Sequence, residues 1–413
     1  MALRIVATTH QPELVSLPWQ QPLEEWTGPF LVALPRGLSR HIVRFVRVAD
    51  ELYAVKETRE PIAWHEYRLL RDLRRLKAPA VEPVGVVTGR ETPGLQPIEP
   101  ALITRHLDHS LPYRELFSRG VRPDTAPKLV DALVVLLIKL HLAGFFWGDC
   151  SLSNTLFRRS AGEFAAYLVD AETGELHPEL SNGQRAHDLD TATGNLFAEI
   201  LDLQAGGLMS EEIDAYDLAT GVAGRYESLW TELTSTENFS TDEMWRIEKR
   251  ISRLNDLGFD VDELDIVTDW DGSTVRIQPK VVDPGHHERR LQGLTGLDVE
   301  ENQARRLLND LDAFAAANDL QGEDPAMVAH RWLTEIFLPI VESVPPERRA
   351  ELDPAELFHE ILEHRWYLSE RAGHEIGIFP TAEDYVRQAV RGVVDASTST
   401  DISGEVLAEG PVR

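Results

Sequence analysis

The sequence predicts an α+β protein with a β-rich first lobe, a helical second lobe, and a mainly helical C-terminal domain carrying one β-hairpin. Three observations predict it. From Phe30 the chain runs strand, turn, strand: Phe30 to Leu34, a turn at Pro35 to Ser39, then an alternating His41 to Val48. A long stretch ending at Ala143 is apolar on most sides, with Leu129, Leu133, Leu136, Leu137 and Leu140, as suits the central helix of a lobe. Beyond about residue 205 the pattern is helical, except where Leu264 to Trp270 and Thr274 to Val281 flank Asp271-Gly272, a strong hairpin turn.

At 413 residues the chain is too long for one ordinary core, so two domains are expected. Hydrophobic content of 43% with 27% charged residues is that of a globular protein in water. A net charge of −28 repels phosphate backbones and argues against general nucleic-acid binding. Arg71, Arg74, Arg75 and Lys77 form a local basic run, read as a solvated helix face or a phosphate contact. The longest apolar run, Ala132 to Ile138, is too short to span a bilayer, and the N-terminus lacks a signal-like apolar core, so the expected address is cytoplasmic. Cys150, the single cysteine, can form neither an internal disulfide nor a cysteine-rich metal site, and reads as a small buried side chain.

Chemistry-bearing residues concentrate between Leu140 and Glu172. An apolar helix end gives way to a loop offering the carboxylate of Asp149 and, after four intervening residues, the amide of Asn154; a turn and a short apolar strand then deliver Asp170. Three such oxygen-bearing side chains can orient a hydroxyl nucleophile and hold Mg²⁺ against phosphate oxygens, as phosphoryl transfer requires. The competing reading is a loop in which Asp149 caps a turn and Asn154 satisfies backbone.

The Asp149 to Asn154 spacing, with Leu140-His141, Gly144, Gly148 and the strand ending in Asp170, resembles the catalytic loop of the protein-kinase-like superfamily, in its bacterial lipopolysaccharide-kinase and RIO-like branch. The resemblance covers roughly residues 30 to 205. It implies a bilobal protein-kinase-like fold, ATP and Mg²⁺ as cofactors, and phosphate transfer to a hydroxyl acceptor of unknown identity. It further implies that Asp149 orients or deprotonates the acceptor, that Asn154 and Asp170 ligate Mg²⁺, and that Lys56 neutralises the α- and β-phosphates. Glu66 is the implied partner of Lys56; only ten positions separate them, and Glu60 is the other candidate. Gly37 and Ser39 stand where the eukaryotic pattern has three glycines over the phosphates, and a plain β-turn competes with that role. Arg105-His106-Leu107 corresponds to the hinge whose backbone reads adenine. Trp147-Gly148 replaces the His-Arg of many kinases, Ala171-Glu172 replaces the glycine after the metal aspartate, and no Ala-Pro-Glu follows. These departures argue against control by a phosphorylated activation segment and keep open a nucleotide-binding pseudokinase-like module; an AMP transferase, using the same groups with the nucleotide reversed, is a third possibility.

In order, residues 1–29 read as an irregular arm, 30–205 as the kinase-like domain, 206–393 as a mainly helical domain, and 394–413 as a disordered tail rich in Ser, Thr, Gly and acids. Apolar spacing predicts helices at about Pro61 to Lys77, Tyr113 to Phe117, Asp124 to Ala143, Thr193 to Leu203, Glu211 to Leu218, Tyr226 to Leu233, Thr241 to Leu257, Ala326 to Ile340 and Glu356 to Ala372. His141 reads as a packed, hydrogen-bonded histidine, and Asp188 or Asp190 as a cap or a brace of the catalytic loop. His286-His287 lacks a third ligand at zinc spacing and reads as polar loop. His359 with Glu363, and Glu360 with His364, are helix-face pairs. The C-terminal half resembles an uncharacterised bacterial domain family and is a candidate docking module for a protein partner.

Overall fold

A computed structural model of the chain describes residues 3–8, 12–34, 41–118, 125–234, 237–240, 263–268, 274–280, 285–350, 352–372, 374 and 376–388. Gly37, Ser39, Asp124, the helix expected at Thr241 to Leu257, the Asp271-Gly272 turn and the tail from residue 394 lie outside the described residues. The chain divides into two compact units, residues 1–284 and 285–413. Among the described residues no helix is long and apolar enough to cross a membrane.

The first unit begins with a six-stranded antiparallel sheet of order β1-β5-β6-β4-β3-β2. Its strands are β1 (Arg4–Ala7), β2 (Leu31–Val32), β3 (Ile42–Val48), β4 (Glu51–Glu57), β5 (Pro83–Thr88) and β6 (Ala101–Arg105). Strand side chains alternate between faces, so Tyr53 and Val55 of β4 point to one side and Lys56 to the other. The side of Tyr53 and Val55 is covered by the arm, whose Leu14, Trp19, Leu23 and Trp26 are buried against Val46, Val48 and Ile103. The arm is thus structural core and not merely a leader. Arg90, only 2% exposed, clamps it by donating to the carbonyls of Trp19 and Gln21 while pairing with Glu57 at 2.6 Å.

The opposite face carries α1 (Glu60–Arg75), whose Ala63 and Tyr67 pack on Val86 and Leu102. Pro61 occupies its first turn, where a missing N–H costs nothing. The arginines of its last turns are surface groups: Arg74 pairs with Glu82 at 2.8 Å and Arg75 with Asp72 at 2.9 Å.

The helical lobe is built on α3 (Thr125–Leu142), buried on nearly every side. Around it stand β7 (Ser110–Pro112), α2 (Tyr113–Ser118), the hairpin β9 (Thr155–Ser160) and β10 (Glu163–Leu168), α4 (Asn182–Ala205) and α5 (Ala215–Thr234). A two-stranded ribbon pairs β8 (Phe145–Phe146) with β11 (Glu175–Leu176). Helix α4 starts well before the expected Thr193, because Ser181 and Gln184 form a reciprocal capping box. Helix α5 is continuous where two helices are expected. Gly221 and Gly224 suggest a break, but Leu218, Val222, Tyr226, Leu229 and Leu233 keep one apolar stripe running through them into the core of α3 and α4. Strands β13 (Glu263–Thr268) and β14 (Thr274–Lys280) pair antiparallel, as the hairpin signal implies, and β12 (Glu237–Ser240) adds a third strand on β14.

The second unit is helical, with α6 (His286–Thr295), α7 (Glu301–Ala317), α8 (Pro325–Trp332), α9 (Leu338–Ser343) and α10 (Pro354–Ala372) around Leu307, Trp332, Phe337 and Phe358. His286 and His287 open a helix, not the expected loop. The Glu301 carboxylate, from the start of the next helix, accepts the backbone N–H groups of His287 and Glu288 at 3.2 and 3.1 Å and so caps α6. The helix expected from Ala326 to Ile340 is interrupted by a π-turn at Leu333–Phe337. Pro339 has no N–H to continue the ladder, and the wider turn before it absorbs the mismatch. His364 pairs with Asp384 at 2.9 Å, and His359 with Glu363 at 3.4 Å.

Candidate active site

Strand β4 turns into α1 across only Thr58 and Arg59, so the ten-position step from Lys56 to Glu66 suffices to bring them together. The Lys56 ammonium lies 2.7 Å from Glu66, 3.1 Å from Asp170 and 3.6 Å from Glu172. Glu60, at the first turn of α1, is not among these partners. Burial opposes the charge on Lys56, but Glu66 and Asp170 outweigh it and hold its pKa above the usual lysine range. Glu66 is almost completely buried; burial pushes its carboxyl up to about 7 against the pull of Lys56, with Asp170 and Glu172 adding to the rise.

That displacement makes a signed prediction. Between the ordinary value of 4.5 and about 7, the folded protein keeps a proton on Glu66 that the unfolded chain releases, so this group's contribution to stability falls as pH rises through that window. Glu66→Gln should abolish this slope. Thermal melts of both proteins from pH 4.5 to 8 should show the wild type losing stability relative to the variant up to about pH 7, then a constant difference. Parallel curves across the whole range would show that Glu66 does not titrate there.

Asp149 and Asn154 sit together on the loop between β8 and β9. The Asn154 amide nitrogen donates to the Asp149 side chain at 3.1 Å and to its backbone oxygen at 3.0 Å. Asn195 of α4 donates to the other Asp149 oxygen at 3.3 Å. The loop reaches Asp170 through the β-hairpin, where the Val169 N–H donates to the Asn154 carbonyl at 3.0 Å.

The loop is braced from beneath, by Asp188 as one of the two expected candidates and by Asn195 and Glu199, which spacing alone does not reveal. Asp188, wholly buried, accepts from the backbone of Trp147 at 2.8 Å and of Gly148 at 2.7 Å, and pairs with His141 at 3.1 Å. His141 also meets the Tyr226 hydroxyl at 2.7 Å; burial lowers its pKa although Asp188 opposes the fall, so it is the packed histidine expected. Glu199 accepts from the backbone of Leu152 and Ser153. Asp188, Asn195 and Glu199 recur at helical spacing on the inward face of α4, and polar residues on a buried stripe were the available signal. Cys150 is fully buried, and burial pushes its thiol well up, which leaves it inert as a nucleophile.

Two further groups touch the segment after Asp170: His41 lies 2.8 Å from Glu172, and His65 lies 3.0 Å from the Gly174 carbonyl. At the expected hinge, the N–H groups of Arg105 and His106 are already donated to Glu82 and Leu52.

Residues 41–196 match the lipopolysaccharide kinase (Kdo/WaaP) family. These residues of the first unit are thus kinase-like, similar to the lipopolysaccharide-kinase branch. Residues 228–390 match a domain of unknown function (DUF4032). Among solved structures, WaaP in complex with acyl carrier protein is similar at 17% identity and a TM-score of 0.33, over 62% of this chain and 99% of that one. No curated protein matches. In the kinase-like unit, Glu66, Asp170 and Glu172 each offer an oxygen within 4.8 Å of the others. Hard oxygen donors of this kind suit a divalent cation such as Mg²⁺.

Proposed function

We propose that the kinase-like unit is an ATP- and Mg²⁺-dependent phosphotransferase acting on a hydroxyl acceptor. The observation that carries this reading is the Lys56 ammonium held between Glu66 at 2.7 Å and Asp170 at 3.1 Å. In it, Lys56 neutralises phosphate oxygens and Glu66 fixes where its ammonium points. Asp149 receives the acceptor hydroxyl; its carboxylate is aimed by the amides of Asn154 and Asn195, so no reorganisation is needed when the hydroxyl arrives. Asn154 donates through its nitrogen to Asp149, leaving its amide oxygen, with the Asp170 carboxylate, as the pair that would hold Mg²⁺. The bound ion would neutralise charge developing on the transferred group.

A second reading is a nucleotide-binding module that transfers nothing. It is favoured by Glu172, which stands 3.6 Å from Lys56 and leaves the ammonium facing carboxylates on three residues. Incubation of the full chain with Mg²⁺ and γ-labelled or α-labelled ATP separates the cases. Label released or transferred from the γ position supports the phosphotransferase. Transfer from the α position alone indicates an AMP transferase, and binding without transfer the inert module. Asp149→Asn should cut γ-transfer by about 10²–10⁴-fold while nucleotide binding stays within a few-fold, because the side chain serves the acceptor and not the phosphates.

A further inference from the structure

The short segment from Asp170 to Leu176 carries the cation-binding carboxylate away from β10, and it is fastened on two sides. On the helical-lobe side, the Thr173 hydroxyl donates to the Trp147 carbonyl at 2.9 Å, and Glu175 and Leu176 pair with Phe146 and Phe145. On the sheet side Lys56 holds Asp170 and Glu172, and two histidines add to it, His41 just before β3 and His65 on α1.

Each histidine uses Nε2, and each meets an acceptor with no proton to give: the Glu172 carboxylate at 2.8 Å and the Gly174 carbonyl at 3.0 Å. Nε2 is therefore the protonated nitrogen in both rings. His65 immediately precedes Glu66, so its bond ties the part of α1 that holds Lys56 directly to the segment that presents Asp170. His41 ties down Glu172, the carboxylate 3.6 Å from the same ammonium.

We propose that His41 and His65 are positioning residues of the nucleotide site, clipping the Asp170–Leu176 segment to the sheet lobe so that Lys56, Glu66 and Asp170 are assembled before any ligand or modification arrives. The proposal rests on the phosphotransferase reading and adds to it how the site is kept ready. Neither histidine acts on the reacting atoms; each acts through the residues it tethers. In a kinase-like site whose lysine and glutamate meet only after α1 swings inward, assembly is a regulated step. Here that step is replaced by two imidazole donors.

The test uses the full chain with His41→Ala, His65→Ala and the matching Gln variants, since glutamine can present a donor at the reach of Nε2. Fluorescence titration with Mg²⁺ and trinitrophenyl-ATP gives affinity, and backbone hydrogen exchange without nucleotide reports how firmly α1 and residues 170–176 are held. Each Ala variant should weaken nucleotide binding about tenfold, the worth of one well-placed hydrogen bond. Exchange should quicken in both α1 and residues 170–176, and the Gln variants should recover within about threefold of wild type. Unchanged exchange in the Ala variants overturns the proposal whichever way the titration falls, as does a lowered melting point with unaltered affinity below the transition. Failure of glutamine to restore either readout overturns the donor role. If the wild-type chain binds no nucleotide, the phosphotransferase reading itself falls, and the exchange data decide separately whether the histidines fasten the segment.

Discussion

Asp170→Asn is expected to reduce Mg²⁺-dependent turnover by about 10²–10³-fold or more, the scale on which loss of one preorganised electrostatic group acts. The Oδ2 atom lies 3.1 Å from the Lys56 ammonium, while Oδ1 accepts the Glu172 backbone N–H at 3.0 Å. Asparagine can keep the second bond through its carbonyl oxygen. It then turns an amide donor toward an ammonium that is also a donor, which replaces attraction by repulsion and removes a hard anionic ligand. The fold should tolerate the change. Asp170 raises the pKa of Glu66, so its neutralisation lets Glu66 ionise at lower pH and pair more fully with Lys56. Melting temperature without nucleotide should therefore hold or rise while turnover and the stabilisation conferred by Mg²⁺ with ATP disappear. A variant retaining turnover within tenfold of wild type would remove Asp170 from the mechanism.

The largest effect on stability is expected at Asp188. Its carboxylate is wholly buried and receives the N–H groups of Trp147 and Gly148 together with His141. Asp188→Ala leaves these donors buried without an acceptor, at about 1–3 kcal/mol each for unsatisfied groups. A total of roughly 3–5 kcal/mol, the range seen when one partner of a buried charged pair is removed, is a large part of the stability of a typical domain. Denaturant titration of the full chain should show the first transition moved sharply to lower concentration. Asp188→Asn should fall between, since one amide oxygen replaces two carboxylate oxygens and an extra donor is forced among donors. A loss below 1 kcal/mol for the alanine variant would mean that water replaces the carboxylate.

The fold class is legible because each lobe announces itself by period: alternation in β3 and β4, and all-round apolarity in α3. Asp149 and Asn154 are visible for a related reason, since both lie on one loop at a fixed spacing. Groups that act across elements leave no such trace. His41 and His65 lie far along the chain from Glu172 and Gly174, and nothing in a lone histidine on a strand or helix announces a carbonyl or carboxylate partner. The continuity of α5 through Gly221 and Gly224 is hidden in the same way, because local propensity favours a break and only packing on α3 and α4 overrides it. Asp188 stands between these cases, since the sequence offers it or Asp190 as a cap or a brace of the loop, and only the structure selects Asp188 as the acceptor of the Trp147 and Gly148 N–H groups.

The buried guanidinium of Arg90 has a practical bearing on anyone wishing to produce the kinase-like part alone. The family match starts at residue 41, yet a polypeptide cut there would strip away Trp19 and Trp26 and bare one whole side of the sheet to water. It would also strand a cation whose carbonyl acceptors at Trp19 and Gln21 had been deleted. Trimming after residue 196 would sever α4 and discard α5, which completes the lower core. The smallest fragment worth purifying therefore extends well past both limits of the matched region, and insoluble material from a tighter cut would say nothing about whether the full chain transfers phosphate.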